Sequence, residues 1–262
     1  MNFANKTILI TGASSGIGKE FATQLASKGA NLIITARSEH ELNVLSQQLT
    51  TRHNNIWVKV IPLDLLLPDS PKMLFTAIQD MGLSVDYLIN NAGFGKFCHF
   101  EEASFDTYQN MLTLNIHALT ELCYLFLPAM KQTNSGGIIN IASTASFQPL
   151  PYQAVYGASK AFVLNFSEAL TGELLGSQVK VMALCPGITE SNFMSTANAD
   201  TSTMKFAPAS KVVEDGLTAF SKGKIYKVSG LANYLTSLVP RLFSRKQIVK
   251  IVANMFKDRM LD

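Results

Sequence analysis

Thr11-Gly12-Ala13-Ser14-Ser15-Gly16-Ile17-Gly18 follows the short apolar run 7–10 and opens a helical pattern over 17–28. Three glycines at a strand-to-helix junction permit a tight turn, close approach of the backbone to a pyrophosphate, and close packing of helix on strand. An anion held there sits at the helix N-terminus, where free N–H groups and the dipole favour negative charge. By itself such a string is also an ordinary loop between a strand and a helix. Its place at the first crossover of an alternating pattern makes the dinucleotide reading the stronger one. Lys19 follows the last glycine and no Gly-Lys-Ser/Thr occurs, so the string is not the P-loop of a nucleotide hydrolase.

Outward from this turn, β-rich runs at 7–10, 31–35, 57–63, 86–89, 137–141 and 179–184 alternate with helical patterns at 17–28, 39–49, 71–81, 105–131 and 153–175. The runs are nearly continuously apolar, as in parallel strands covered on both faces. Repeated strand, helix, strand predicts an α/β doubly wound parallel sheet, because right-handed crossovers place helices on both sides. No Pro/Gly/Ser-rich linker divides the chain, which reads as one domain over 1–230 with an amphipathic helical extension over 231–262. Residues 187–207 are small and polar and read as a mobile lid. A helix (209–222), a short strand (225–228) and a basic tail (233–260) follow. In the tail Val239, Leu242, Phe243, Ile248, Val249, Ile251, Val252, Met255 and Phe256 mix with Arg241, Arg245, Lys246, Lys250 and Lys257. Its apolar face is expected to dock on its own core or a second subunit, with peripheral contact at a membrane surface as the alternative.

The 262 residues are 47% apolar and 16% charged, a composition that supports a buried core and excludes dominant disorder. Three cysteines with no paired spacing suit a reducing compartment. Twenty-two basic against nineteen acidic residues leave a surplus too small for a nucleic-acid partner. No targeting signal and no uninterrupted apolar span is apparent, so the expected location is cytoplasmic. His40, His53, His99 and His117 lack ligand spacing, and no metal site is expected.

Tyr156 and Lys160 lie one turn apart on a predicted helix. A phenol is a poor acid or base at neutral pH unless a cation stabilises its ionised form, and Lys160 is placed to do so. Tyr-x-x-x-Lys is common by chance, and a surface pair is its plain explanation. Its company raises it: Ser143 after the fifth strand, Asn90-Asn91-Ala92-Gly93 after the fourth, Asn115 in mid-helix, and Pro186-Gly187 after the sixth. All belong to the carboxyl edge, where ligands of such sheets bind. At the end of the second strand Ala36 stands where a carboxylate would select NAD, and Arg37 can pair with a 2′-phosphate.

These motifs, in this order over about residues 5–230, resemble the short-chain dehydrogenase/reductase family in its single-domain, Rossmann-like NAD(P)-dependent branch. The resemblance implies that Tyr156 is the general acid, Ser143 polarises the carbonyl oxygen, Lys160 lowers the tyrosine pKa and holds the nicotinamide ribose, and Asn115 holds a water of a proton relay. It implies that Gly12, Ser14, Ser15, Gly16, Ile17 and Gly18 line the pyrophosphate, Arg37 the 2′-phosphate, and Asp64 with Leu65 the adenine. Asn91, Ala92 and Gly93 would flank the adenosine ribose, and Pro186, Gly187 and Thr189 the carboxamide. NADP(H) is expected over NAD(H), in a homodimer or homotetramer formed through the helices 105–131 and 153–175.

Phe94, Phe97, Ala145, Phe147, Leu150, Pro151, Tyr152, Phe193 and Met194 suit a hydrophobic ketone, aldehyde or acyl-type substrate, although packing explains any one of them. The rival to a reductase is a catalytically silent NADP(H)-sensing regulator on the same fold. It is disfavoured because Tyr156, Lys160 and Ser143 are all retained. A membrane-surface scaffold using the basic tail is the third class.

Overall fold

The computed structural model describes residues 2–191, 193, 197 and 206–257. Seven parallel strands form one sheet: β1 (Thr7–Thr11), β2 (Asn31–Ala36), β3 (Val58–Pro62), β4 (Tyr87–Asn90), β5 (Gly137–Ile141), β6 (Lys180–Cys185) and β7 (Tyr226–Val228), in the order β3-β2-β1-β4-β5-β6-β7. The order reverses between β1 and β4, and a crevice opens at the carboxyl ends there. The helices are α1 (Gly16–Ser27), α2 (Glu39–Arg52), α3 (Ser70–Asp80), α4 (Phe105–Leu112), α5 (Leu119–Thr133), α6 (Ala154–Glu173), α7 (Ala209–Ser221), α8 (Leu231–Leu238) and α9 (Arg245–Phe256).

The doubly wound sheet expected from the alternation is the fold found. Successive strand side chains point to opposite faces, and both faces here are apolar. Ile8 and Ile10 pack on one side with Phe21 and Leu25 of α1 and Val213 and Leu217 of α7. Leu9 packs on the other with Leu74 of α3, Leu122 and Phe126 of α5 and Val163 of α6.

Two elements differ from the sequence reading. The helix expected over 105–131 is interrupted by a π turn at Thr113–Ala118, between α4 and α5. The amphipathic tail, read as one stretch over 233–260, resolves into two helices separated by a 3-10 turn at Val239–Arg241 containing Pro240. Ser244 then caps α9, accepting from the Gln247 N–H. Phe105–Thr133 is, among the described residues, the one helical run long and apolar enough to cross a membrane by length and composition. Its α5 part buries Leu119, Leu122, Cys123, Phe126 and Met130 in the core under the sheet. Most of the expected lid lies outside the described residues, as do Met194 and the tail beyond residue 257.

Candidate active site

The glycine turn is built by close approach. Gly12 has φ +63°, and the position a Cβ would take at Gly18 lies 2.3 Å from the Gly12 carbonyl oxygen and 2.5 Å from Asn91 Nδ2. That amide donates to the carbonyls of Thr11 (3.0 Å) and Gly12 (3.1 Å), pinning the turn to the end of β4. Thr11 Oγ1 accepts from the N–H groups of Asn91 and Ala92, each at 3.0 Å. Ser15 precedes α1 in extended conformation, so the N-terminal amides of α1 open into the crevice.

A cleft of about 830 Å³ runs along the carboxyl edge. Gly12, Ser14, Ser15, Gly16, Ile17, Arg37, Asp64, Leu65, Asn91, Ala92, Gly93, Ser143, Tyr156, Lys160, Pro186, Gly187 and Thr189 all line it. Gly18 and Asn115 lie behind its wall. Arg37 is exposed at the rim beside Ala36 and forms no ion pair among the described residues.

Ser143 begins the 3-10 turn Thr144–Phe147 after β5, and its Oγ accepts from the Ala145 N–H at 3.1 Å. Tyr156 and Lys160 stand in the first turns of α6, both buried. Burial pushes the Tyr156 phenol up to about 12, against a downward pull from its hydrogen bond with the Ser143 side chain. Burial likewise brings the Lys160 ammonium down to about 8. Lys160 Nζ donates to the Ile141 carbonyl at 2.8 Å and lies 5.9 Å from the centre of the Tyr156 ring. Burial is the largest influence on the phenol, and the Lys160 ammonium faces its ring and the β5 carbonyl.

Asn115 is held firmly by its neighbours. It sits in the π turn, fully buried, and its side chain is committed on both ends. Oδ1 accepts from the Phe94 N–H (3.1 Å), while Nδ2 donates to the Phe94 carbonyl (2.9 Å) and to Ser159 Oγ (3.0 Å). The side chain clamps the loop after β4 onto α6. The π turn supplies the extra residue that turns Asn115 toward both.

Of the expected substrate wall, Phe94, Phe97, Ala145, Leu150 and Phe193 line the cleft. Phe147 packs instead on Tyr226, with ring centres 6.0 Å apart, while Pro151 and Tyr152 do not line the cleft. The sequence reading missed Thr107, Asn110, Leu114, Gln148, Gln153 and Phe256 as lining residues. Phe256 arrives on α9, whose Ile248 and Val252 are buried in one cluster with Tyr108, Met111, Leu150 and Tyr156. The Ile248, Val252, Phe256 spacing of four was the available signal.

The short chain dehydrogenase family profile matches residues 6–202. The chain is 37% identical over 175 residues to a very-long-chain 3-oxoacyl-CoA reductase from Neurospora crassa, covering 66% of this chain and about half (53%) of that relative. A short-chain dehydrogenase from Sphingobium yanoikuyae in complex with NADPH superposes with a TM-score of 0.83 at 30% identity, over 94% of this chain and 95% of the other. The bulky-bulky ketone specific alcohol dehydrogenase of Comamonas testosteroni gives 0.78 at 30% identity, over 92% and 94%. With three quarters of its length inside the profile and a switch-point cleft of this construction, the chain belongs to the short-chain dehydrogenase family of oxidoreductases.

Proposed function

We propose that the protein reduces a hydrophobic ketone, aldehyde or acyl-type carbonyl compound with NADPH, Tyr156 giving the proton to the carbonyl oxygen. The observation that carries this reading is the meeting of Ser143, Tyr156 and Lys160 on the wall of the same cleft that begins at the glycine turn. The residues fit a dinucleotide: the turn leaves no room for a Cβ at Gly18, and an unpaired Arg37 stands where Ala36 replaces a carboxylate. Gly12, Ser14, Ser15, Gly16 and Ile17 would hold its pyrophosphate, with Gly18 giving the close helix packing behind them. Arg37 would hold a 2′-phosphate, Asp64 and Leu65 the adenine, and Asn91, Ala92 and Gly93 the adenosine ribose. Pro186, Gly187 and Thr189 would meet the carboxamide. The cofactor supplies the hydride when bound.

The chain's own residues each find a role in this step. A phenol held up to about 12 keeps its proton at neutral pH, and that is the form that donates to a carbonyl oxygen. The Ser143 hydroxyl polarises the same oxygen, Lys160 holds the ribose, and Asn115 acts as a positioning residue for the loop after β4. The apolar wall favours a hydrophobic substrate, in keeping with relatives named for bulky ketones and 3-oxoacyl groups. Residues 1–262 are read as one domain, and the three free thiols suit the cytoplasm.

The test is loss of NADPH absorbance over a panel of hydrophobic ketones, aldehydes and 3-oxo esters, with NADH and Tyr156→Phe beside it. Turnover is expected with NADPH over NADH, reduced at least about 100-fold by the substitution with NADPH binding kept. Undiminished turnover by Tyr156→Phe refutes the assignment. Tight NADPH binding with no turnover of any compound points to the sensing regulator instead.

A further inference from the structure

Helix α8 is built inside out. Asn233 and Ser237, one turn apart, face the protein: Ser237 is 4% exposed, and Asn233 Nδ2 donates to the Ser229 carbonyl at 2.8 Å. The Asn233 side chain also packs on Gly187, where a Cβ would come within 2.5 Å of it. The opposite face carries Leu231 and Leu235 with Tyr234, all exposed, Leu231 at 75%. A surface helix normally buries its apolar stripe, and this one buries a serine in its place.

The apolar surface continues past the helix. Leu242, 78% exposed, and Phe243 stand side by side after the 3-10 turn, and α9 exposes Val249, Ile251 and Met255 while burying Ile248 and Val252. A single apolar side chain on a surface needs no explanation, but eight on consecutive elements of one arm mark a face that something covers.

Charge decides what covers it. Residues 231–257 hold Arg241, Arg245, Lys246, Lys250 and Lys257 and no acidic residue, and Lys222, Lys224 and Lys227 precede them. The last five residues, outside the described ones, add Asp258, Arg259 and Asp262. None of the eight cations from Lys222 to Lys257 forms an ion pair among the described residues. A second copy of the arm would bring like charges together. A bilayer with anionic headgroups meets both demands at once: an apolar boundary for the leucines and a negative potential for the cations, whose long stems reach the headgroups from an apolar surface.

We propose that the α8–α9 arm docks the protein peripherally on an anionic lipid bilayer. Leu231, Leu235, Leu242 and Phe243 enter the headgroup boundary, and Arg241, Arg245, Lys246 and Lys250 hold the anionic headgroups. The docking face is separate from the cleft, and its occupancy does not depend on which carbonyl compound is reduced. The two are nevertheless joined through α9, whose Phe256 lines the cleft wall.

The experiment sediments the full chain with sucrose-loaded vesicles of phosphatidylcholine alone and of phosphatidylcholine with about 30% phosphatidylserine. Wild type is expected to pellet with the anionic vesicles at least about tenfold more tightly than with the neutral ones, and to weaken several-fold as salt is raised from about 0.1 to about 0.5 M. Two double variants separate the contributions. Leu235→Ser with Leu242→Ser, and Lys246→Glu with Lys250→Glu, are each expected to lose about tenfold in vesicle affinity, with circular dichroism and unfolding midpoint kept. The wild-type comparison of lipid composition and salt stands even where a variant fails to fold. No pelleting of wild type with anionic vesicles, equal pelleting with both kinds, or undiminished binding by either folded variant overturns the proposal. A lipid-free mass that falls on Leu235→Ser with Leu242→Ser, without vesicle binding by wild type, assigns the face to a second copy of the chain instead.

Discussion

At the scale of single residues, Lys160 shows how a motif and its environment answer different questions. Its place one turn after Tyr156 is legible from spacing, because a helix puts i and i+4 on one face. Its electrostatic state is not legible, since that depends on the β5 carbonyl it bonds and the burial both residues share. Folded, the ammonium loses its proton near pH 8; unfolded, it keeps it to 10.5. Between these values the unfolded chain holds a proton that the folded chain does not, so stability rises with pH. The Tyr156 phenol works the other way, but only above its ordinary value of 10.0. Burial also holds the Cys123 and Cys185 thiols up from 9.0 to about 12, which lowers stability above pH 9, but these are common to wild type and a Lys160 variant, so the difference between the two proteins from about pH 8 to 10 reports the lysine. Wild type is expected to gain urea resistance relative to Lys160→Met as the pH is raised from 8 to 10; a constant difference between the two proteins would count against a buried, easily deprotonated Lys160.

At the scale of elements, α9 carries the finding that local pattern least prepared. The tail was legible as an amphipathic segment, but the surface its apolar face would cover was left open among own core, second subunit and membrane. It covers the apolar cluster around Tyr156 through Ile248 and Val252 and brings Phe256 to the cleft, 5.7 Å from the ring of Phe97. The family profile ends at residue 202, so this wall lies outside the segment that the profile matches. Phe256→Ala is expected to raise kcat/KM several-fold for ketones bulky on both sides relative to small ones, and Phe256→Trp to move the ratio in the opposite direction. NADPH affinity should stay unchanged in both, as judged by fluorescence titration. Parallel shifts for small and bulky compounds would assign the side chain to packing alone. The π turn is the other such element. Asn115 in mid-helix was noticed as an oddity of propensity, but the extra backbone residue that aims it at Phe94 and Ser159 has no signature in spacing.

At the scale of the whole molecule, charge and exposed apolar surface are distributed unevenly. Residues 231–257 contain five basic residues and no acidic one, whereas the chain as a whole has a surplus of only three. The arm exposes Leu231, Leu235, Leu242 and Phe243, but a two-fold contact through it would set five cations against five. The run α4–α5 and helix α6 expose Phe105, Leu112, Tyr124 and Phe162 without that penalty. We expect self-association through these two helical faces. Light scattering at micromolar concentration should give a dimeric or tetrameric mass, and Tyr124→Lys with Phe162→Lys should lower it; a monomeric mass for wild type contradicts the expectation.

The glycine turn, the seven strands, the order of helices and the positions of Ser143, Tyr156, Lys160 and Arg37 were determined by sequence alone, because each is written in neighbours a few residues apart. A strand's two apolar faces, a helix's one-turn spacing and a glycine at a junction are short-range facts that the chain cannot hide. The tertiary structure decided the rest: the clamp made by Asn115, the bond that occupies Lys160, and the arrival of Phe256 on the cleft wall. Each of these depends on segments roughly twenty to more than a hundred residues apart meeting in a low-dielectric interior, where burial and the presence or absence of one partner set the chemistry of a group.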